Sequence, residues 1–383
     1  MKDILFLRQA YQNFGGIEGQ ILLMAREFAS RKLFNPLLAT SQRASRFGQE
    51  FKALGFPVYE VPIGREDKLN EGVKAIEPIL KKHTIALIQS HAFRESLIGR
   101  KVCRKHPEIS HVLRVHLYID CSEIPKWRKA TYHILDKLTS RYVDRYVCID
   151  RVTLRELTEN SWLPSTKTHL VTDAIEKIGE PDSLEYNSNL PLPARIAMVA
   201  NFLPHKGHDV LIKALSILKL KGLKVYARLI GGELTGKSQS NRPSLVASLK
   251  ENASVSGVLD QIEFYGYTRS VYDAVKGYPV IVLPSRIEGI PNCILEALTL
   301  KKLVIASHVG GVPEIIQDGI NGFLHPPQDP KALADILERV FTAPAERWHS
   351  IRDAGYRTWE KNFSVQQMID GLSKIYKGIG VLA

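Results

Sequence analysis

Two carboxylates eight residues apart, Glu288 and Glu296 in the segment EGIPNCILEA, are the part of this 383-residue sequence best placed to do chemistry. Pro291 lies between them, and its fixed φ and missing N–H suit the opening of a helix. Glu288 then precedes that helix and Glu296 lies within it. Helix residues from Asn292 onward offer backbone N–H groups and a positive dipole end, a site for the distal phosphate of a nucleotide sugar. At about 1.5 Å of rise per helical residue the carboxylates stand roughly 10 Å apart. One can meet a transferred sugar while the other holds ribose hydroxyls. Two glutamates on a solvated helix face are the alternative, and the flanking Gly-Ile-Pro-Asn and Gly310-Gly311 argue against it.

Three further constellations could serve the same ligand. The segment VANFLPHKGHDVLIKAL puts Asn201, Lys206 and Gly207 in a loop before an amphipathic helix, where a lysine can neutralise a diphosphate. A lone Lys-Gly pair is otherwise a surface turn. NFGGIEGQ places Gly15 and Gly16 in a strand-to-helix turn, where glycine permits close backbone approach to a phosphate or sugar. Its spacing is not G-x-G-x-x-G, and no acidic residue closes the next strand, which speaks against a dehydrogenase. QSHAF and RVHLY bring His91 and His116 to successive strand ends. A single histidine there is usually structural; two in succession point to a site.

Positioning these residues requires strands that end where the motifs begin. Short apolar runs at 4–7, 36–39, 58–61, 86–89, 112–115 and 146–149 alternate with longer amphipathic stretches. After a Pro- and Asn-rich segment at 176–193 the series restarts at Arg195, with a helix at 209–218 and strands at 225–230, 262–264, 280–283 and 303–306. This is the pattern of repeated strand-helix units and parallel sheets. The expectation is an α/β chain of two Rossmann-like domains, 1–175 and 190–362, facing one another across a cleft, with ligand at the strand C-termini. A last helix is expected at 363–379.

Composition bounds the alternatives. Apolar residues make up 44% and charged residues 24% of the chain, as in soluble globular proteins. The N-terminal apolar run is too short for a signal peptide, and no stretch is long enough to span a membrane, so a cytoplasmic location is expected. Cys103, Cys121, Cys148 and Cys293 lie far apart without CxxC spacing, which fits a reducing compartment and argues against structural zinc. The formal net charge is +12, of which +9 falls before residue 176 and +7 between Arg94 and Arg155. Such a basic face suits an anionic partner, and a solvated basic surface is the plain alternative. Trp127, Ile134 and Leu138 fall near one face of IPKWRKATYHILDKL beside Lys126, Arg128 and Lys129, which suits peripheral contact with an anionic membrane. The aromatics of this stretch (Tyr118, Trp127, Tyr132, Tyr142, Tyr146) form no interleaved array, so no nucleic-acid partner is expected.

These residues together resemble the retaining glycosyltransferase family 4, the group 1 glycosyltransferases, of GT-B fold. The likeness covers nearly the whole chain and is strongest from 194 to 327. The family's E-x7-E pattern stands complete as Glu288 and Glu296. The resemblance implies that Glu288 contacts the donor sugar and Glu296 the ribose, and that Gly289, Ile290, Pro291, Asn292, Cys293 and Ile294 cradle the phosphates. It implies that Gly232, Gly266 and Tyr267 line the nucleotide, that His116 meets the transferred sugar beside His91, that Asp173 lies near the hinge, and that the helix at 363–379 crosses back onto the first domain. Family members carry Gly-Arg where this chain has Ala200-Asn201. One phosphate-binding cation is therefore absent, and Arg286 and Lys237 are candidates to replace it.

The reaction the resemblance implies is a transfer from a nucleotide-diphosphate sugar with retained configuration. The acceptor would be a glycan or lipid-linked glycan of surface polysaccharide or lipopolysaccharide biosynthesis. No Asp-x-Asp occurs in the sequence, which agrees with cations and a helix N-terminus, rather than a metal cofactor, stabilising the leaving diphosphate. Competing readings are a nucleotide-sugar 2-epimerase of the same fold, which needs no acceptor, and a non-catalytic protein that binds anionic surfaces.

Overall fold

A computed structural model describes residues 1–10, 15–63, 68–116, 126–159, 163–181, 194–233 and 244–382, apart from the side chains of Lys126 and Arg128. Tyr118, Cys121 and Lys237, named above, lie outside them. The chain divides into two compact units, Met1–Asp173 with Gln366–Ala383, and Ala174–Val365.

The first unit holds strands β1 (Asp3–Arg8), β2 (Asn35–Thr40), β3 (Val58–Glu60), β4 (Ile85–Ser90), β5 (Ser110–Val115), β6 (Arg145–Cys148) and β7 (Thr168–Leu170). All pair in parallel, in the order β3-β2-β1-β4-β5-β6-β7. A parallel sheet is covered on both faces, so its strands are apolar throughout rather than alternating. Ile4, Leu5, Phe6 and Leu7 in β1 are all fully buried. The helix Val365–Gly378 belongs to this unit from Gln366 onward. Its Tyr376 stacks edge-on against Phe28 and Phe34, 5.9 and 5.7 Å between ring centres.

The second unit holds β8 (Arg195–Val199), β9 (Tyr226–Ile230), β10 (Ile262–Gly266), β11 (Val280–Leu283), β12 (Leu303–Ser307) and β13 (Phe323–His325), parallel in the order β10-β9-β8-β11-β12-β13. Its core gathers Ile196, Met198, Leu211, Leu215, Leu229, Val282 and Ile305 with Trp348. In each sheet the strand order reverses once, between β1 and β4 and between β8 and β11. In open α/β sheets the crevice at such a reversal is where ligands bind. Residues following β1 and β4 in one unit, and β8 and β11 in the other, therefore stand where a ligand is expected.

In the first unit the helix Lys126–Thr139 turns Tyr132 and Asp136 inward, where Asp136 meets the buried Arg100 at 2.7 Å. Its other side leaves Trp127, Ile134 and Leu138 70%, 59% and 64% exposed. Among the described residues no helix is long and apolar enough to cross a membrane.

Candidate functional site

The loops after β8 and β11 meet at the ion pair of Lys206 with Glu288. Lys206 Nζ lies 2.6 Å from Glu288 Oε1, and Ser285 donates its hydroxyl to the same oxygen at 2.7 Å. The Glu288 side chain is 7% exposed and that of Lys206 20%. Burial alone would lower the lysine's pKa, but the Glu288 carboxylate outweighs it and holds the ammonium above its ordinary value. Ser307 in turn donates to the Ser285 carbonyl, which ties the Glu288 loop to the end of β12.

Two glycines let these loops approach. Gly207 has φ +77°, and a Cβ there would stand 1.9 Å from the Pro284 carbonyl oxygen. Gly310 has φ +50°, and a Cβ would stand 1.8 Å from the carbonyl oxygen of Glu288 itself. Any side chain at either position is both strained and obstructed. The loop carrying Glu288 is thus held between a glycine after β8 and a glycine after β12.

Pro291 is the N-cap of the helix Asn292–Thr299 and brings no side-chain acceptor to its N-terminus. Ile290 and Ile294 are buried, Gly289, Asn292 and Cys293 half-buried. Glu296, half-buried, has its carboxyl pushed up to about 7 by burial, with no cation to offset it among the described residues. Asn201 accepts a hydrogen bond from the Gly232 N–H at 3.1 Å, joining the ends of β8 and β9. Gly266, at φ +84°, closes β10 and accepts from Gly231 N–H at 2.8 Å; Tyr267 beyond it is 43% exposed. Arg286, a candidate for the absent cation, makes a bidentate pair with Asp209 at 3.0 and 2.7 Å. Its guanidinium also donates to the Pro204 carbonyl at 2.8 Å.

A second constellation lies in the first unit, after β4 and β5. His116 Nδ1 lies 3.4 Å from Asp173 Oδ2, and His116 Nε2 lies 3.1 Å from His91 Nδ1. Burial would raise the Asp173 carboxyl, but Arg114 foremost, and His116 after it, hold it down to about 2. Arg114 Nη2 reaches Asp173 at 2.7 Å. His91 is pushed well below its ordinary value by burial first, and then by the neighbouring His116, Arg114 and Arg8. The two rings stack at 5.4 Å beside a cavity of about 150 Å3 lined mainly by Ile17, Phe93, Leu113, Val115 and Leu157.

Gly15 is the N-cap of the helix Gly16–Ser30, and its N–H donates to Glu18 Oε2 at 3.0 Å. Arg8 holds the other oxygen of that carboxylate at 2.7 Å. The protein's own Glu18 therefore sits where an anionic ligand was expected to approach the glycine turn.

The structure brings Lys206 to Glu288, Asn201 to Gly232, and His91 and Asp173 to His116. Ser285, Asp209 and Arg114 are partners that the motifs alone did not reveal. Arg114 carried a signal, a charge inside an otherwise apolar strand, and Ser285 sits three residues before Glu288.

A family model of glycosyl transferases, group 1, matches residues 188–358. An uncharacterized glycosyltransferase of Methanocaldococcus jannaschii is 28% identical over 306 residues, 78% of this chain and 77% of the archaeal protein. The amylovoran biosynthesis glycosyltransferase of Erwinia amylovora is 30% identical over 194 residues, 48% of this chain and 44% of its own length. The crystal structure of Anabaena HepE with UDP and glucose superposes with a TM-score of 0.83 at 18% identity, covering 99% of this chain and 100% of that one. A glycosyltransferase from Rickettsia africae gives 0.78 at 22% identity, covering 99% and 98%.

Proposed function

We propose that this chain, whose residues 188–358 match the group 1 glycosyl transferase model and whose fold is GT-B, is a glycosyltransferase that moves a hexose from a nucleoside diphosphate sugar with retention of configuration. The observation that carries the reading is the 2.6 Å pair of Lys206 and Glu288 beside the Pro291-capped helix. An ammonium and a helix N-terminus converge on one place, which suits a leaving diphosphate, and a carboxylate stands next to them. Glu288 positions the sugar and stabilises positive character at the anomeric carbon. Glu296 accepts from the ribose hydroxyls, and a phosphate oxygen of the donor takes the acceptor's proton. The cations and the helix carry the charge of the leaving group, so no metal is required.

The acceptor is a glycan or lipid-linked glycan of surface polysaccharide or lipopolysaccharide assembly. The role of the Erwinia relative in amylovoran biosynthesis supports this reading. The basic first 175 residues and the exposed Trp127, Ile134 and Leu138 suit peripheral attachment to the inner, cytoplasmic face of an anionic membrane.

A thermal-shift screen of nucleoside diphosphate sugars identifies the donor, since a ligand of the native state raises the melting temperature. NMR of the product then reads the anomeric configuration. An inverted product overturns the retaining assignment. Transfer lost on adding a chelator and restored by a divalent ion overturns the metal-independent one.

A further inference from the structure

The two histidines of the first unit are the inner members of a longer chain of hydrogen bonds. Gln89, at the end of β4, places its amide nitrogen 2.9 Å from His91 Nε2. The hydroxyl of Tyr376, on the helix Val365–Gly378, donates to Gln89 Oε1. The five side chains Tyr376, Gln89, His91, His116 and Asp173 thus follow one another in a line whose last step is the 3.4 Å ion-pair contact of His116 with Asp173, and Gln89, His91 and Tyr376 are 1% exposed or less.

Chemistry gives this line a single direction. The Gln89 amide nitrogen also lies 3.5 Å from the Met24 thioether, which can only accept. Nitrogen therefore faces Met24 and His91, and oxygen faces Tyr376. His91 Nε2 must then accept, so its proton is on Nδ1 and points at His116 Nε2. His116 Nε2 accepts, leaving its proton on Nδ1 toward the Asp173 carboxylate. Every donor points from Tyr376 toward Asp173, with one hydrogen between each successive pair of side chains. The depressed pKa of His91 agrees with a neutral ring.

We propose that Gln89 and Tyr376 are positioning residues of the transfer reaction, fixing through His91 the tautomer in which His116 Nε2 bears a lone pair. His91 Nδ1–H occupies that lone pair in this structure, so a sugar hydroxyl that reaches His116 Nε2 must offer a hydrogen and take the place of His91. This rests on the reading of His116 as a contact of the transferred sugar. Its consequence is that the last helix of the chain, which touches neither histidine through Tyr376 directly, governs how one of them presents itself.

The test combines heteronuclear NMR of nitrogen-labelled histidines with steady-state kinetics. Tyr376→Phe keeps the ring among Phe28 and Phe34 and removes only the hydroxyl. The Gln89 amide can then turn over and offer oxygen to His91, so the wild-type Nδ1–H signal of His91 gives way to a mixture with Nε2–H. On losing one oriented hydrogen bond, kcat is expected to fall about tenfold while the donor KM stays within about twofold. Gln89→Glu presents only acceptors and shifts His91 fully to Nε2–H. If His91 keeps its Nδ1 proton in both variants, or in Tyr376→Phe alone where Gln89→Glu does not fold, the proposal falls. It falls equally if Tyr376→Phe changes the tautomer and leaves kcat untouched. The NMR arm needs no substrate, and a His116→Ala enzyme with undiminished kcat would instead overturn the reading of His116.

Discussion

Lys206 and Glu288 hold each other at 2.6 Å although 82 residues separate them, and the pair joins the loop after β8 to the loop after β11. A diphosphate arriving at Lys206 must share the ammonium with Glu288. Glu288→Gln keeps the shape and the Ser285 contact but removes the charge that the sugar would meet. Transfer is expected to fall roughly a thousandfold with the melting profile preserved, and Lys206→Ala about a hundredfold, as for removal of one preorganised electrostatic partner. Turnover of the purified Glu288→Gln enzyme at wild-type level contradicts the donor assignment.

Gly310→Ala puts a methyl group 1.8 Å from the Glu288 carbonyl oxygen at φ +50°. The loop has to move away, so the cost exceeds backbone strain alone and reaches about 3 kcal/mol or more. Gly207→Ala, 1.9 Å from the Pro284 oxygen, is expected to cost a similar amount. Denaturant titration reads both losses. Activity lost in folded Gly310→Ala protein would show that the glycine's role is to place Glu288.

Glu296 gives the second unit a pH signature. Its carboxyl is raised to about 7 by burial, so between its ordinary value and about 7 the native state holds a proton that the unfolded chain has released. Stability attributable to this group is full at acid pH, declines as pH rises through that window and is flat above it. Glu296→Gln removes the desolvated charge. In the absence of donor it is expected to be more stable than wild type by about 1 to 3 kcal/mol at pH 8, on the scale of about 1.4 kcal/mol per unit, and indistinguishable near pH 4. The same variant should bind nucleotide more weakly. Equal melting temperatures at both pH values would remove the desolvation account.

The exposed side of Lys126–Thr139 makes a prediction of its own. Trp127→Glu with Leu138→Glu places acidic groups where a basic, apolar face would rest on lipid. Flotation with vesicles containing anionic lipid is expected for the wild type, falling about tenfold or more in the double variant, since each change removes burial and adds repulsion. Indifference of the wild type to anionic vesicles ends the membrane proposal. Catalysis on a soluble donor and a short acceptor should be unaffected.

Most strands could be read from the sequence because parallel sheets bury both faces, so each strand is a plain apolar run. The strand expected at 280–283 coincides with β11. The two that escaped notice, Thr168–Leu170 and Phe323–His325, are three-residue strands at sheet edges, too short to leave a pattern. The Glu288 segment was legible because Glu288, Pro291, the start of the helix and Glu296 are neighbours in sequence, whereas Lys206 and Gly310 come to it only through the fold. Ser285 went unremarked because a serine in a loop has no distinguishing context until its carboxylate partner is placed. Arg286 illustrates the opposite limit: its type and position suit a phosphate, yet Asp209, 77 residues away, already holds it. Tyr376 and Gln89 are 287 residues apart, and no local pattern connects them.

The first unit is made from both ends of the chain, residues 1–173 and the stretch from Gln366 onward. During synthesis, therefore, its sheet emerges early but the cradle of Phe28 and Phe34 stays vacant until the whole second unit has been translated. Closing that separation is among the slowest kinds of contact to form, because so much chain must be brought round first. An enzyme assembled in this order has its histidine line completed last, so a nascent or prematurely terminated chain can be largely folded and still lack the hydroxyl that orients it.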